Sequence, residues 1–205
     1  MSIQYFTGWY QDKVRRRQKE YLYCLQKNLD NPLIDKVHLL METALTVPKH
    51  PKLNAINWTK RPTYNDFFLV ANDSDATICL IGNTDIYFDE TLTLATCIKE
   101  NECFALTRWD VYHEGEIHLY SGAACSQDTW IFRRPIRNIA GDFYLGKPGC
   151  DNRIAYEIAS AGYHVTNPSK SIRSIHWHAS GIRNYARFTV DSISPPYKTI
   201  PPSFL

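Results

Sequence analysis

The sequence has 205 residues, of which 44% are hydrophobic and 21% charged, and its formal net charge is +2. One large domain with a sizeable core is therefore expected, and the small net charge gives no reason to expect nucleic acid as a partner. No apolar run approaches the roughly 18 residues that a membrane span requires. Since the N-terminus lacks a signal-peptide pattern and the six cysteines form no C-x-x-C pair, we expect a soluble cytoplasmic protein.

The first third of the chain predicts an alternating β–α pattern. A short strand at Ser2–Phe6 is broken at Thr7-Gly8, and a helix is expected over Lys13–Leu29 because its apolar residues recur on one face. A second strand is expected at Lys36–Met41, and the proline-rich stretch 46–62 predicts a surface loop. This order is the beginning of a doubly wound sheet.

The central element is the apolar run Thr77–Ile81. It is not alternated with polar residues, which is typical of a strand buried on both faces in a parallel sheet. Before it, Thr63 and Asp66 resemble the capping box of a short helix. The later expected elements are a helix from Asp89 or Glu90, strands at Cys103–Arg108, Ile117–Tyr120 and Thr129–Phe132, a helix capped by Asp151, and strands at Tyr163–Val165 and Ile172–Trp177.

These elements predict one α/β domain over residues 1–190, with a mostly parallel twisted sheet flanked by helices. Residues 191–205 are proline-rich and extended, so we expect a tail or a linker to further domains. The pattern gives no indication of the oligomeric state.

Asp85 is the first candidate functional residue. It follows the central strand, and open α/β sheets bind ligands at the carboxyl ends of their strands. A turn aspartate that bonds to backbone amides is the common alternative, whereas Asp85 and Asn83 also carry the oxygen ligands that a hard divalent cation prefers. The pair Asp73 and Asp75 precedes the strand, so it should lie at the opposite edge and is rejected as the site.

His176, His178 and Asp151 are further candidates. Two histidines at a spacing of two on a strand point to one face, which suits a metal ion, and one of them as ligand is expected rather than both. Asp151 at a helix start is sufficiently explained as an N-cap. A carboxylate held there can also act as general base toward an acceptor hydroxyl.

Two acid–tryptophan combinations are candidates for sugar contacts. They are Trp109 with Asp110, and Asp128 with Trp130. Indole faces stack on sugar rings while carboxylates accept bonds from sugar hydroxyls, although core packing is the simpler explanation for each indole taken alone.

In this order the pieces resemble the nucleotide-sugar-dependent glycosyltransferases of the GT-A fold. In that family a metal motif follows a central strand, as Asn83-Thr84-Asp85 does here, and a helix with the catalytic carboxylate follows an acceptor loop, as in Gly149–Glu157. A late histidine completes the metal shell, which His176 or His178 matches. The resemblance covers about Ser2–Arg187 and is strongest to an N-terminal glycosyltransferase domain of chlorella-virus capsid-glycan synthesis. The sequence departs from the pattern where Asn83 replaces the first aspartate, which leaves one carboxylate for the metal.

The resemblance implies transfer of a hexose or deoxyhexose from a UDP-sugar to a glycan or glycoprotein acceptor, with Mn²⁺ or Mg²⁺ as cofactor. It also implies viral capsid glycan synthesis in the host cytoplasm, and inversion at the anomeric centre with Asp151 as base. The residues implied for the nucleotide are Thr7, Gly8, Trp9 and Tyr10 at the uridine, Arg15 or Arg61 at the phosphates, and Asn83 and Asp85 at the ribose and metal.

Other functions stay open at this point. A sugar nucleotidyltransferase needs a glycine-rich basic loop after the first strand, and Thr7–Tyr10 contains one glycine, which argues against it. A non-catalytic glycan-binding domain suits the aromatic content of 13% and would bind sugar without nucleotide or metal. A metal hydrolase using His176 and His178 lacks a further acid cluster.

Overall fold

A seven-stranded sheet forms the centre of the computed structural model, which describes residues 1–111, 115–177 and 192–205. Its strands are β1 (Ile3–Trp9), β2 (Lys36–Met41), β3 (Leu53–Asn57), β4 (Ile78–Gly82), β6 (Glu102–Leu106), β9 (Thr129–Arg133) and β10 (His164–Thr166). Their order is β10-β6-β9-β4-β1-β2-β3. Strand β9 runs antiparallel to β4 and β6, and the other described pairs are parallel. The predicted mostly parallel sheet is confirmed.

Helices cover both faces of this sheet. They are α1 (Arg15–Asp30), α2 (Tyr64–Asp73) and α3 (Cys150–Ser160), with 3₁₀ helices at Glu90–Cys97 and Ala123–Cys125. Along β4, Leu80 packs in the core cluster that contains α1, and Ile81 packs in the cluster that contains α2 and α3. Because both faces of β4 are buried, its sequence is continuously apolar rather than alternating.

A second sheet has four strands and lies beyond the carboxyl ends of the first. Its strands are β5 (Ile86–Phe88), β7 (Arg108–Val111), β8 (Ile117–Leu119) and β11 (Ser174–His176), in the order β5-β11-β7-β8. The chain passes from β4 to β5 through Asn83–Asp85, and from β6 to β7 through Thr107 alone. The polar candidate residues therefore lie where the two sheets meet.

Two predictions for the first half of the chain were wrong. Strand β1 does not end at Phe6: Thr7, Gly8 and Trp9 pair with β2 up to Met41, so they extend the strand rather than form a loop. The stretch 46–62 contains the strand β3, which pairs with β2 at the sheet edge. Prolines flank this strand without interrupting it, so proline content was a poor guide there.

The predicted role of Asp151 as a helix cap was also wrong. The N-cap of α3 is Gly149, whose φ of +81° lies in the left-handed region, and Asp151 is the second helical residue. The predicted strand Cys103–Arg108 is divided at Thr107 between the two sheets, and the strand expected at Ile172–Trp177 spans only Ser174–His176.

The described C-terminal residues 192–205 pack on the domain. Ile200 is 5% exposed, and its carbonyl accepts a bond of 2.9 Å from the Asn167 side chain. The Lys198 N–H donates to the Asn152 carbonyl at the start of α3. This segment is thus part of the domain's packing, while a connection to further domains stays a prediction. Among the described residues, no helix combines the length and the apolar character needed to cross a membrane.

Candidate functional site

Asp85 lies in the junction between the two sheets and is 8% exposed. Its Oδ2 accepts a bond of 3.0 Å from Arg17 Nη2, which reaches it from the first turn of α1. The same oxygen lies 3.3 Å from Nε2 of His176, the last residue of β11. Burial alone would raise the pKa of Asp85, but the charge and hydrogen bond of His176, together with Arg17, hold it well below its usual range.

His176 bridges two carboxylates. Its Nδ1 lies 2.8 Å from Asp110 Oδ1, on the side opposite Asp85. Burial opposes a charged imidazole, yet the charge of Asp85 and the hydrogen bond to Asp110 raise the pKa of His176 to about 9. At neutral pH both ring nitrogens therefore carry a proton, and each donates to one of the two carboxylates.

Arg108 connects Asp110 to the other side of the junction. Its Nε donates to Asp110 Oδ1 at 2.8 Å and its Nη1 to Asp128 Oδ2 at 3.1 Å. Asp128 Oδ1 in turn accepts a bond of 2.7 Å from Asn83 Nδ2. The backbone carbonyl of Asn83 accepts a bond of 2.6 Å from the Tyr5 hydroxyl in β1, so both the backbone and the side chain of Asn83 are held in place.

Carboxylates and cations alternate through the whole junction. We call the series the charge chain, and its members in order are Glu20, Arg17, Asp85, His176, Asp110, Arg108 and Asp128. With His176 protonated, four carboxylates and three cations leave a net charge of −1. The charge chain joins α1, the turn between β4 and β5, strands β11 and β7 of the second sheet, and the residue that precedes β9. Arg17 and Arg108 each contact two carboxylates.

Asp151 lies beside the far end of the charge chain. Burial raises its pKa to about 7, and the nearby negative charge of Asp128 acts in the same direction. The Cys150 thiol at 3.1 Å and the backbone N–H of Gln127 donate hydrogen bonds to its carboxylate and oppose the rise, as does the charge of Arg108. A carboxyl group with such a pKa can accept a proton at neutral pH.

The two tryptophans predicted for sugar contacts do not share the polar environment of their acidic partners. Trp130 is 0% exposed and packs edge-on against Tyr64 in the core, so its predicted sugar contact is wrong. Trp109 donates its indole N–H to the Ser169 carbonyl, whereas the neighbouring Asp110 belongs to the charge chain. The acids of both pairs therefore lie in the junction, and the indoles serve packing and a backbone bond.

The predicted uridine residues lie at the end of β1. Trp9 is buried in the core cluster with α1, so its indole is not part of a loop surface. Thr7 is buried, and the Gly8 carbonyl accepts a bond from Thr84. Tyr10 is partly exposed and bonds to the Tyr21 hydroxyl.

Of the two predicted phosphate residues, Arg61 lies near the junction. Its Nη2 donates to the Leu145 carbonyl. A Cβ on Gly146 would lie 3.8 Å from that nitrogen and 3.7 Å from Asn83 Oδ1, so both side chains border one space. Arg15 is exposed on α1.

The rejected pair Asp73 and Asp75 lies away from the junction. Asp73 ends α2, and Asp75 is an exposed side chain that bonds to Gln4 near the start of β1 and to Lys36 at the start of β2. Those strand starts form the edge opposite to the one that Asp85 occupies.

The donor atoms of the junction do not fit a divalent cation as they are arranged. In the described ranges, no three His, Cys, Asp or Glu side chains group so that they could hold a metal ion. The Oδ2 of Asp85 already faces Arg17 and His176. His178 lies outside the described residues, so the metal roles of His178, His176 and Asp85 stay predictions.

Sequence reasoning missed the two arginines of the charge chain. Arg17 belongs to a basic run that indicates a solvated helix face, and indeed Arg15 and Arg16 are exposed. Arg17 is 7% exposed, and a helical projection that places it beside Tyr21 is the signal that would have identified it. Arg108 ends a predicted strand, and its pairing with Asp128 depends on the tertiary fold.

Comparison with solved structures identifies the fold. The chain aligns with the mannosyltransferase PcManGT from Pyrobaculum calidifontis, in complex with GDP-Man and Mn²⁺, with a TM-score of 0.59, at 14% identity, over 89% of this chain and 58% of that one. It aligns with residues 1–349 of TarS from S. aureus, in complex with UDP-GlcNAc, with a TM-score of 0.51, at 11% identity, over 88% and 56% of the two chains. The fold is GT-A-like. The predicted fold class is thereby confirmed.

The likeness covers only part of the compared proteins. The chain spans a little over half the length of these two proteins, 58% and 56%. A 4-diphosphocytidyl-2C-methyl-D-erythritol synthase from Anaerococcus prevotii aligns with a TM-score of 0.49, which is too low to bear on function. No protein-family model and no curated protein sequence matches the chain.

Proposed function

We propose that this domain transfers a sugar from a nucleotide-sugar donor to a hydroxyl group of an acceptor glycan. The observation that carries this proposal is Asp151, a carboxyl group with a pKa of about 7, held beside the polar junction at the carboxyl ends of a GT-A-like sheet. Such edges are where open α/β sheets bind nucleotides. A group that is half ionised near neutral pH is suited to remove a proton from an acceptor hydroxyl.

In the proposed reaction, Asp151 accepts the hydroxyl proton while the acceptor oxygen bonds to the anomeric carbon of the donor. The bond between that carbon and the diphosphate oxygen breaks, and the nucleoside diphosphate leaves with the electron pair. Attack opposite to the leaving group inverts the anomeric centre. The fixed side chains Asn83 and Asp128 border the space for the donor, where a pre-arranged polar environment favours the developing charges.

We extend the proposal to the identity of the nucleotide, the identity of the sugar and the biological role of the transfer. UDP is the nucleotide implied by the sequence resemblance, and hexose or deoxyhexose is the implied sugar. The compared structures contain GDP-Man in one case and UDP-GlcNAc in the other, so both bases require testing. A role in viral capsid glycan synthesis is supported by the resemblance alone.

Dependence of the transfer on a divalent cation is a separate part of the proposal. Mn²⁺ is present with GDP-Man in the first compared structure, whereas Oδ2 of Asp85 in this chain already faces Arg17 and His176. No step of the proposed reaction is therefore assigned to a metal ion.

The test is nucleotide binding measured by thermal shift and calorimetry, with UDP and GDP, each in Mn²⁺ and in EDTA. We expect one of them to stabilise the wild type, by about 2.7 kcal/mol at a hundredfold excess over Kd. Asp85→Asn should abolish the stabilisation, because it breaks the charge chain between Arg17 and His176. The matched control Asp75→Asn changes an exposed carboxylate and should bind like the wild type.

The outcome against the proposal is equally specific. If the protein binds neither nucleotide, in Mn²⁺ or in EDTA, but binds oligosaccharides, it is a glycan-binding domain rather than a transferase. Release of pyrophosphate from a nucleoside triphosphate and a sugar phosphate would indicate a nucleotidyltransferase instead.

A further inference from the structure

Arg17 occupies an unusual place for a cation. It lies in the first turn of α1 (Arg15–Asp30), and in that turn the structure describes every residue and none is acidic. The amino end of a helix has a partial positive charge, so an arginine there is unfavourable unless an anion compensates it. Its neighbour Arg16 remains exposed, whereas Arg17 is 7% exposed and turned into the junction.

The guanidinium of Arg17 is held firmly in this place. It donates to Glu20 Oε2 at 2.9 Å, to the Tyr21 hydroxyl at 3.0 Å and to Asp85 Oδ2 at 3.0 Å. Both members of the pair with Asp85 are buried, and removing one partner from a buried ion pair leaves an uncompensated charge. A divalent cation that approached this oxygen of Asp85 would have to displace the guanidinium.

The remaining donor atoms favour the arginine over a metal ion. Both nitrogens of His176 face carboxylate oxygens, of Asp85 and Asp110. Asn83 stands at the position two before Asp85 and gives its amide N–H to Asp128. Oδ2 of Asp85, Oδ1 of Asp110 and both oxygens of Asp128 are thus engaged by side-chain cations and an amide.

From this arrangement we propose that Arg17 takes the place of a divalent cation at Asp85 and supplies the positive charge beside the donor's diphosphate. The inference rests on the proposed transferase function. The guanidinium of an arginine is always charged, so Arg17 brings a permanent positive charge to this place even while it donates to Glu20, Tyr21 and Asp85. When the glycosidic bond breaks, Arg17 would stabilise the negative charge that develops on the leaving diphosphate.

The first experiment measures Mn²⁺ binding without nucleotide, by calorimetry. Arg17→Met combined with Glu20→Gln removes the cation together with its acidic partner on the helix, so the helix keeps its charge balance and can fold. We expect this double variant to bind Mn²⁺ more tightly than the wild type by about tenfold or more, the effect of freeing one charge-assisted bond of Asp85. Adding Asp85→Asn should remove the gain, and the exposed control Arg16→Met should match the wild type.

The second experiment measures nucleotide affinity in EDTA and in Mn²⁺. The wild type should bind UDP or GDP with the same affinity in both media. Arg17→Met should bind in EDTA about tenfold or more weakly, since one charge-assisted contact is lost, and Arg17→Lys should recover only part of the affinity. Circular dichroism of each variant confirms that it is folded.

The inference is overturned if the wild type binds nucleotide only with Mn²⁺, or if the double variant binds Mn²⁺ no better than Arg16→Met. Failure of the proposed function looks different. In that case neither nucleotide binds in either medium, and the Mn²⁺ titration still decides whether Arg17 occupies the place of a cation.

Discussion

At the scale of single residues, the environment of Asp151 determines how the reaction should depend on pH. Burial and the charge of Asp128 raise its pKa to about 7, against the Cys150 thiol and Arg108, which favour the ionised form. The base must be ionised to accept a proton, so kcat/KM should rise with pH and level off above about 7. Asp151→Asn should lower the rate by roughly 10²- to 10⁴-fold, the usual contribution of a general base.

A matched variant separates the effect of Asp128 from that of Asp151. Asp128→Asn removes a neighbouring negative charge, so the pKa of Asp151 should fall and the acid limb of the pH profile should move to lower pH. An unchanged limb would show that another group is the base.

The titration of Asp151 should also change the stability of the protein, which can be measured without an activity assay. Because the folded-state pKa of Asp151 is raised, its contribution to stability is complete below the ordinary aspartate pKa and is lost as pH rises through about 7. The unfolding free energy of the wild type, measured against that of Asp151→Asn, should therefore fall over this window and stay constant above it.

The sequence could indicate some of these residues and not others. Asp85 follows a buried apolar strand and Asp151 lies at a helix start, and both signals are local. Arg17 and Asp85 are 68 positions apart, and Arg108 and Asp128 are joined only when β7 and β9 have formed. Local patterns do not encode such pairs, so the charge chain could not be predicted.

At the scale of elements, helix α2 shows how well a local signal can work. The Thr63 side chain accepts from the Asp66 backbone N–H, and the Asp66 side chain accepts from the Thr63 backbone N–H, as the predicted capping box requires. Thr63→Ala should lower the unfolding free energy by about 1 kcal/mol, the usual cost of losing an N-cap. Urea denaturation measures this, with Thr63→Ser as the variant that keeps the cap and Thr93→Ala as an exposed control.

Elements were predictable where one residue pattern dominated. Strand β2 was predicted at Lys36–Met41 and is observed there, since four of its six residues are apolar and five are buried. Strand β3 has the pattern of a half-exposed edge, and such a strand depends on pairing with β2 more than on its own sequence. The extension of β1 through Gly8 depends in the same way on pairing with its neighbour β2.

At the scale of the whole molecule, the C-terminal segment contributes to the stability of the domain. Ile200 is 5% exposed and belongs to the core cluster on the α2 and α3 face. Ile200→Ala should therefore lower the unfolding free energy by about 2–5 kcal/mol, the range for truncating such a buried side chain. Leu205→Ala, a change at a residue that is 54% exposed, is the control and should have little effect.

That prediction also tests how the segment should be described. A flexible linker would tolerate both substitutions equally, and equal unfolding free energies for the two variants would show that Ile200 does not anchor the segment in solution.

The charge chain also has an evolutionary consequence. Each inner member neutralises two neighbours that come from distant parts of the sequence, so a change at one position leaves two unmatched charges buried in the junction. Substitutions in natural relatives should then occur in sets: a relative without Arg17 should also have replaced Glu20 or Asp85, and one without Arg108 should have replaced Asp110 or Asp128. The junction would be inherited as a unit, and correlated changes at these positions would trace it in sequences too divergent for direct comparison.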